Sequence, residues 1–342
     1  MEYKKKTIGI LCYWGVPNYG AWVQAYAMNK VVRNIVGEDC LVQHLNYLHP
    51  THFNSYYKND KLLHLIFSYS YNLIPSTEKI TAEQLEKMKF DIIITGADDL
   101  WDFTIKNYGE DFHLIGDGLN CNKLISYAPS CGTMESNSSM LERMTGINAY
   151  DYLSVRDINS ANVVMKLTGK KPQITLDPCL LWDFKADSAI RYPDLDNYIL
   201  VYGCNWDEDY IYHAKKFATE KRLLLVSVGY INKWCDMNIK FVALRGTEWV
   251  GMFEKASYIF TSMFHGLMLS LSFEKQVKFN RVGYVKNRSE YLLKELGLSL
   301  YLNEQKNYED IFKSTIDYTT VTTKLNTLRK SSLEYLREAL SE

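Results

Sequence analysis

Short apolar runs alternate with segments of helical periodicity along most of the chain. The run Thr7–Tyr13 has the character of a buried strand, and a loop then leads into a periodic segment from about Gly20 to Val36. The apolar positions of that segment recur at helical spacing: Ala21, Ala25, Met28, Val32 and Ile35. This alternation predicts βα units around a mostly parallel sheet.

The alternation forms two series, separated by a polar, Pro-containing stretch at Phe184–Asn197. In the first series, further strands are predicted at Leu41–Asn46, Phe90–Thr95, Lys123–Ala128, Tyr152–Val155 and Gln173–Leu176, and a helix at Asp157–Leu167. In the second series, strands are predicted at Tyr198–Tyr202, Leu223–Val228, Tyr258–Thr261 and Gln276–Phe279, and helices near Glu208–Glu220, Thr247–Lys255, His265–Phe273 and Ser289–Leu296.

The length of the chain also favours two domains. It has 342 residues, and chains beyond roughly 250–300 residues tend to split into separate cores. We expect a linker at Phe184–Asn197, one Rossmann-like α/β domain at 1–185 and a second at 196–342. The segment Thr319–Leu340 has its leucines on roughly one face, which predicts a terminal helix that spans both domains.

Charge and cysteine content exclude several classes. The 39 basic and 40 acidic side chains leave no basic excess for nucleic acid. No stretch reaches the ~18 uninterrupted apolar residues of a membrane span. The basic and then apolar N-terminus lacks a cleavage site, so we interpret it as the first strand and not as a signal peptide. An odd number of cysteines without a C-x-x-C pair indicates free thiols in a reducing cytoplasm.

The region from His49 to Lys79 is rich in Tyr, Phe, His and Lys and reads as irregular. Its part His52–Ile74 has two interpretations. Aromatic and cationic side chains favour a membrane–water interface, which predicts peripheral membrane contact. Alternatively, the apolar residues pack a helix onto the first domain. The interpretation as a membrane contact depends on Phe53, Tyr56, Tyr57 and Phe67, with Lys58, Lys61 and His64.

The first candidate motif is Asn18-Tyr19-Gly20, between the first strand and the first helix. Free N–H groups at a helix start favour an anion, and glycine lets the backbone approach a ligand. The motif is therefore either a phosphate or sugar contact, or an ordinary cap and turn. No dinucleotide-binding or P-loop glycine pattern is present.

A second motif places two carboxylates, Asp98 and Asp99, after the buried strand Phe90–Thr95 and Gly96. Ligands of open α/β sheets sit at the carboxyl ends of strands. Two neighbouring carboxylates can push their pKa values apart, which suits a general base. The alternative is that one of them only caps a helix.

The third motif is a loop of small residues, Ser126 to Gly132, after another predicted strand. Its hydroxyl and backbone donors, including Ser126 and Ser130, either face a ligand or hold a strained turn.

Arg156 ends a predicted strand within the fourth motif, Leu153-Ser154-Val155-Arg156-Asp157. A guanidinium there can fork onto a carboxylate or phosphate, or it can pair with Asp157 to close the helix start. Asp177 precedes Pro178, and we interpret it as a turn device.

The fifth motif is Thr261-Ser262-Met263-Phe264-His265-Gly266, where a strand leads into an apolar helix. The helix dipole lowers the pKa of a histidine at a helix start, and a bound anion raises it again. His265 therefore either donates a proton or binds phosphate, although a single histidine is more often structural.

These five motifs in this order resemble the polysaccharide pyruvyl transferase family, over about residues 7–298. The resemblance lies in the N-Y-G element with Gln24 and Ala25, D-x-x-x-x-G-x-D-x-x-W at Asp91–Trp101, S-Y-A-x-S-x-G at Ser126–Gly132, S-V-R-D through L-D-P at Ser154–Pro178, and the T-x-x-x-H-G element ending at Gly266. Two positions depart from the family: Ala97 stands where it has serine, and Met263 where many members have arginine. Arg281, Lys286 or Arg288 can replace that charge.

The resemblance implies a two-domain GT-B-like enzyme that transfers a pyruvyl group from phosphoenolpyruvate onto a sugar hydroxyl pair of a bacterial-type surface polysaccharide or its lipid-linked precursor. The acceptor side would be the N-terminal domain and the donor side the C-terminal one, at the inner face of the membrane or free in the cytoplasm. It implies Asp98 as base and His265 as acid or phosphate ligand. The expected substrate-binding residues are Asn18, Tyr19, Gly20, Ser126, Ser130, Arg156, Ser262, Gly266, Arg281, Lys286 and Arg288.

We expect no metal, because no ligand cluster has metal spacing, and no cofactor besides phosphoenolpyruvate as co-substrate. Two alternatives stay open: a sugar-nucleotide glycosyltransferase on the same architecture, and a non-catalytic saccharide-binding protein whose tyrosine-rich surface is its site.

Overall fold

A computed structural model describes residues 5–57, 61–106, 110–240, 243–283, 285–305 and 307–341, without the side chains of residues 56, 57, 61 and 66. The chain divides into two compact units. The first unit comprises Met1–Trp182 and Leu328–Glu342, and the second comprises Asp183–Thr327.

The first unit is built on a parallel sheet. Its strands are β1 (Lys6–Leu11), β2 (Cys40–His44), β3 (Lys89–Thr95) and β4 (Asn120–Ser126), in the order β2-β1-β3-β4. A short parallel pair, β5 (Ser154–Val155) and β6 (Gln173–Ile174), continues beyond β4, because Ile125 forms a parallel bridge with Tyr152. The strand order reverses between β1 and β3, so the carboxyl ends of these two strands form a topological switch point.

Helices flank this sheet, and several begin at a side-chain cap. They are α1 (Tyr19–Val36), α2 (Pro50–Tyr57), α3 (Lys61–Tyr71), α4 (Ala82–Lys87) and α5 (Ile158–Thr168). Thr81 and Gln84 form a reciprocal capping box at the start of α4, and Asp157 caps α5 by accepting from the N–H of Ser160. Such caps satisfy N–H groups that the first turn leaves unpaired.

The second unit has a five-stranded parallel sheet. Its strands are β7 (Tyr198–Tyr202), β8 (Leu224–Val228), β9 (Met237–Ile239), β10 (Tyr258–Thr261) and β11 (Val277–Phe279), in the order β11-β10-β7-β8-β9. Its helices are α6 (Glu208–Lys221), α7 (Gly246–Lys255), α8 (Phe264–Ser272), α9 (Val285–Leu296) and α10 (Tyr308–Lys313). Counted from β7, this is the doubly wound order 3-2-1-4-5, with its switch point between β7 and β10.

The last helix, α11 (Tyr318–Leu340), belongs partly to each unit, because the division falls after Thr327. Its C-terminal half packs Tyr335, Leu336 and Ala339 into the same core as Ile8 and Ile92. The hydroxyl of Tyr335 donates to the carbonyl of Ser126 at 2.8 Å. Residues 328–342 therefore group with the first unit, although they lie within the bounds predicted for the second domain, 196–342; the helix itself was predicted to span both domains.

The α/β fold of two Rossmann-like units is confirmed, and the predicted strands and helices lie within a few residues of those observed. The region His49–Lys79 is not irregular: it contains α2 and α3. The units divide between Trp182 and Asp183, just before the predicted linker at Phe184–Asn197. Within the described residues, no helix has the length and apolar character needed to cross a membrane.

Candidate functional site

Close backbone packing shapes the first switch point. Gly96 follows β3 with φ +126°, and a Cβ at this position would lie 2.0 Å from the carbonyl oxygen of Tyr127. Only glycine fits this approach. The chain then turns so that Asp98, itself left-handed with φ +73°, and Asp99 emerge at the carboxyl end of β3. Left-handed non-glycine residues are uncommon, and they cluster at functional sites.

Arg156 ties these carboxylates to a third one within the first unit. Its Nη2 donates to Oδ1 of Asp99 at 3.0 Å and its Nη1 donates to Oδ2 of Asp177 at 3.1 Å, while Oδ1 of Asp98 lies 3.8 Å from Nη2. The Arg156, Asp99 and Asp177 side chains are almost fully buried. A buried guanidinium held by several carboxylates fixes their positions strongly.

Asp98 differs from its two acidic neighbours in accessibility. Its side chain is 16% exposed, against 5% for Asp99 and none for Asp177. One oxygen also accepts from the N–H of Asp99 at 3.0 Å, which holds the carboxylate in place. Asp98 is therefore the member of this acidic group that a ligand can reach, and a fixed, accessible carboxylate can accept a proton.

Two side chains near Asp98, those of His52 and Tyr13, are kept neutral by burial. Burial lowers the pKa of His52 to about 4, although the charge of Asp98 opposes this shift. Burial raises the pKa of Tyr13 well above its usual value, and Asp98 adds to the effect. The Tyr13 and His52 rings meet edge to face with centroids 4.3 Å apart. Both are candidate neutral hydrogen-bonding groups beside the carboxylate.

The Asn18-Tyr19-Gly20 motif caps and anchors α1. Oδ1 of Asn18 accepts from the N–H groups of Gly20 and Ala21 at 2.9 and 3.2 Å. The Tyr19 ring is fully buried and packs against Phe67 at 5.3 Å. These contacts are those of a cap and a core residue, and a ligand contact by this motif stays a prediction.

The serines of the third motif form an internal network. The hydroxyl of Ser126 donates to the carbonyl of Ser154 at 2.9 Å, and that of Ser130 donates to Asp157 at 2.6 Å. Both serines are fully buried. The network fixes the β4–β5 region, because each hydroxyl joins segments that are far apart in sequence.

At the switch point of the second unit, a serine joins the two loops that follow β7 and β10. The hydroxyl of Ser262 donates to the carbonyl of Cys204 at 2.8 Å and accepts from its N–H at 3.2 Å. Thr261 donates from Oγ1 to the carbonyl of Tyr202 at 2.7 Å. Asn232 donates to the carbonyl of Gly203 at 3.0 Å. These bonds hold both carboxyl-end loops in one arrangement.

His265 occupies the first turn of α8, directly above β10. It is 8% exposed. The next residue, Gly266, allows the helix to approach the strand, since a Cβ there would lie 2.1 Å from Oγ1 of Thr261. Met263 precedes the helix, and its sulfur lies 3.6 Å from the hydroxyl of Tyr230. The helix start and the histidine thus lie at the position where doubly wound sheets bind ligands.

The three candidate cations of the second unit are not equivalent. Arg281 and Lys286 both form ion pairs with Glu304. Nη1 of Arg281 lies 3.2 Å from Oε1 of Glu304. Arg281 also donates to the carbonyl of Lys286 at 3.0 Å. Arg288 lies on α9 and is 9% exposed. The Lys286 ammonium lowers the pKa of Glu304.

Sequence reasoning underrated two residues of the first unit. Asp177 does cap a turn, since its Oδ1 accepts from the N–H of Cys179 at 3.0 Å, but its Oδ2 also binds Arg156. The position of Asp177 just after the strand β6 was the signal in the sequence that could have indicated this second contact. His52 begins a segment for which the sequence left both membrane contact and packing onto the first domain open; it is 1% exposed and lies against Tyr13. Only the packing of α2 reveals it.

Comparisons with known proteins agree with this architecture. The family model described as polysaccharide pyruvyl transferase matches residues 18–277. The chain matches no curated protein. A solved putative UDP-N-acetylglucosamine 2-epimerase from Listeria monocytogenes is 10% identical, with 94% of each chain covered and a TM-score of 0.50. A UDP-GlcNAc 2-epimerase from Methanocaldococcus jannaschii is also 10% identical, with 93% of this chain and 98% of that one covered, at TM-score 0.50. These likenesses show the fold alone, which is of the GT-B class.

Proposed function

Because the chain belongs to the polysaccharide pyruvyl transferase family, we propose that it transfers a pyruvyl group from phosphoenolpyruvate onto two hydroxyls of a sugar. The sugar would be part of a bacterial-type surface polysaccharide or its lipid-linked precursor, and the product a cyclic ketal. One observation carries the proposal: the family match at residues 18–277 includes Asp98, which follows β3 at the first switch point, and His265, which follows β10 at the second.

The reaction needs one proton donor, one proton acceptor and positive charge near the phosphate. Protonation of the methylene carbon of phosphoenolpyruvate gives a cationic centre at the neighbouring carbon. A sugar hydroxyl attacks this centre, and a base removes its proton. The carbon–oxygen bond to phosphate then breaks, the second hydroxyl attacks the same carbon, and its proton leaves with the phosphate.

Asp98 is our candidate for the base. It is the accessible carboxylate at the end of β3, and the N–H of Asp99 holds one of its oxygens. Arg156 was predicted to clamp an anion. Its two hydrogen bonds to Asp99 and Asp177 favour a positioning part in this proposal, in which the guanidinium fixes the acidic group around Asp98.

His265 is our candidate for the acid or phosphate ligand. Its place in the first turn of α8 adds backbone N–H groups and the positive end of the helix dipole, which favour an anion. In this proposal the second unit binds the donor, and the first unit binds the acceptor sugar. Arg281, Lys286 and Arg288 supply the charge that Met263 lacks.

A lipid-linked acceptor would require contact with a membrane surface. Two of the residues predicted for this contact are engaged within the first unit: Phe67 is buried, and Phe53 packs under Lys79, whose Nζ lies 3.9 Å from the ring centroid. Lys58 lies outside the described residues, as do the side chains of Tyr56, Tyr57 and Lys61. A different set on α3 is exposed at helical spacing: Leu62, Leu65 and Tyr69. We propose that this set, the α3 apolar stripe, makes the contact.

Mass spectrometry of sugar acceptors tests the proposal. The full chain is incubated with phosphoenolpyruvate and a panel of methyl hexopyranosides and short glycans, and a pyruvyl ketal is expected on at least one acceptor. The His265→Ala chain should lose most of this turnover. Parallel incubations with sugar nucleotides test the glycosyltransferase alternative: sugar transfer from a nucleotide, with no ketal from phosphoenolpyruvate, would overturn the proposal.

A further inference from the structure

The first unit contains an open cavity of about 410 Å³ beside its switch point. It is lined by Trp14 and Gly15 in the loop after β1, and by Asn46, just after β2. The last turn of α3 also lines the cavity, with Ser68 and Tyr71. The volume lies within the ~300–1,000 Å³ typical of ligand pockets.

The cavity lies where open α/β sheets bind ligands. Two of its sides come from residues that directly follow the parallel strands β1 and β2, at their carboxyl ends. The loop after β1 is the one that the sequence marked for a sugar or phosphate contact. Trp14 and Gly15 of this loop line the cavity, whereas Asn18 caps α1 and Tyr19 packs in the core.

The residues that line the cavity suit a neutral, hydroxyl-rich ligand. Among the described residues, none that lines the cavity carries a charge. The wall contributed by α3 is its C-terminal end, where the macrodipole places partial negative charge. Both features disfavour phosphate and carboxylate groups. Phosphoenolpyruvate and sugar nucleotides are therefore poor occupants of this cavity.

Hydrogen-bonding groups in the cavity are available to a ligand. The side-chain amides of Asn46 and Asn72 have no hydrogen-bond partner in the described part of the chain. Each amide offers two donors and an acceptor, which match neighbouring sugar hydroxyls. The half-buried Tyr71 ring adds an apolar face, and its centroid lies 5.9 Å from that of the buried Trp14. The apolar ring face and the two amides match the C–H face and the hydroxyls of a pyranose.

We propose that this cavity binds one uncharged hexopyranose unit of the acceptor glycan, with Asn46 as its main hydrogen-bonding residue. The inference rests on the proposed function only in naming the bound sugar as the acceptor. Sugar binding in the cavity does not depend on that function. Asn46 and Gly15 would be specificity-determining residues, since they contact the bound sugar without taking part in bond making or breaking.

Two substitutions test the cavity in different ways. Asn46→Ala removes the amide, and Asn54→Ala is its matched control, because Asn54 is an exposed asparagine on α2 outside the cavity. Gly15→Val fills the space. A Cβ at Gly15 would meet nothing nearer than Oδ1 of Asn46 at 3.8 Å, and its φ is not left-handed, so the fold should tolerate a side chain there. Thermal unfolding of each full-length variant checks that it is folded.

Binding is measured by saturation-transfer NMR with methyl hexopyranosides, which needs no phosphoenolpyruvate. We expect at least one glycoside to bind the wild type and the Asn54→Ala chain, and to bind Asn46→Ala and Gly15→Val about ten-fold more weakly. Asn46→Ala loses one or two hydrogen bonds to the sugar, and the side chain of Gly15→Val occupies part of the space that the sugar needs. In the pyruvylation assay, KM for the acceptor should rise by a similar factor in both variants, with KM for phosphoenolpyruvate unchanged.

The outcomes separate the two proposals. Glycoside binding that depends on Asn46 and Gly15, without any ketal product, would support the cavity and count against the pyruvyl transfer. Ketal formation with acceptor KM unaffected in both folded variants would overturn the cavity and leave the transferase standing. Failure of every methyl glycoside to bind the wild type also overturns the cavity proposal.

Discussion

Arg156 donates a 3.0 Å hydrogen bond to the buried carboxylate of Asp99, while the neighbouring Asp98 lies 3.8 Å from the same nitrogen and is partly exposed. One guanidinium thus fixes a carboxylate inside the first unit and leaves the adjacent one at the ligand-accessible surface. The two aspartates should therefore have separable roles, one in stability and one in chemistry.

Substitution at these positions should separate stability from turnover. Arg156→Met should lower the free energy of unfolding by about 3–5 kcal/mol, because it leaves buried carboxylates without their partner. Asp98→Asn should change it by about 1 kcal/mol or less, since its contact is longer and partly solvated. The same Asp98→Asn chain should lose about 10²–10⁴-fold in turnover as a missing general base.

Urea unfolding and the ketal assay on the two variants provide the measurement, with Asp99→Asn as the matched control for Asp98→Asn. If Asp98→Asn retains wild-type turnover, Asp98 is not the base. A loss of stability in Asp98→Asn equal to that in Arg156→Met would show that it is a structural residue.

Glu304 should restrain the positive charges of the donor side. It pairs with Arg281 and Lys286, so Glu304→Gln should release both cations and lower KM for phosphoenolpyruvate about two- to five-fold, the scale of exposed ion pairs. Glu309→Gln is the control, because Glu309 forms its ion pair with Lys313 along α10. Replacing Arg281, Lys286 and Arg288 together with glutamine should raise the same KM. Unchanged donor KM in both experiments would place the anion clamp elsewhere.

His44 should make the protein less stable in mild acid. It is fully buried, its Nε2–H donates to the carbonyl of Ala25 at 3.1 Å, and burial lowers its pKa to about 3. The unfolded chain has an ordinary histidine pKa of about 6.5. Between these values the unfolded state binds a proton that the folded state does not. The contribution of His44 to the free energy of unfolding is therefore fully present above about pH 6.5. It declines towards pH 3 by up to ~1.4 kcal/mol per pH unit.

The test compares denaturant unfolding of the wild type and His44→Gln between about pH 7 and about pH 4.5, a range in which the unfolded histidine takes up its proton and the buried one does not. Other groups titrate in both chains, so only the difference between their slopes of unfolding free energy against pH reports on His44. We expect the variant to lose stability less steeply. Parallel curves for the two chains would contradict the prediction.

The α3 apolar stripe should carry any membrane contact. Leu62, Leu65 and Tyr69 are 60%, 67% and 62% exposed, and exposed apolar side chains at helical spacing favour an interface. Changing the three to serine should abolish co-sedimentation with phosphatidylglycerol-containing vesicles. The control changes Tyr212, Leu224 and Ile231, exposed residues of the second unit, to serine. Equal sedimentation of both variants, or none for the wild type, would remove the membrane contact from the proposed function.

The sequence by itself determined the local elements and the order of candidate motifs. Strand and helix alternation is a short-range signal, because a buried strand needs a continuous apolar run and a helix needs a 3.6-residue period. The predicted strands Tyr198–Tyr202 and Tyr258–Thr261 coincide with β7 and β10 for this reason. The positions of Asp98 and His265 after strands follow from the same signal.

Only the tertiary structure decided which side chains meet. Arg156 donates hydrogen bonds to Asp99 and Asp177, which are 57 and 21 residues away, rather than to its neighbour Asp157. The terminal residues 328–342 join the first unit because Tyr335 and Leu336 complete its core. The cavity beside Asn46 exists because α3 returns to the carboxyl end of β1 and β2. Each of these pairings depends on packing between segments distant in sequence, and local periodicity carries no information about such contacts.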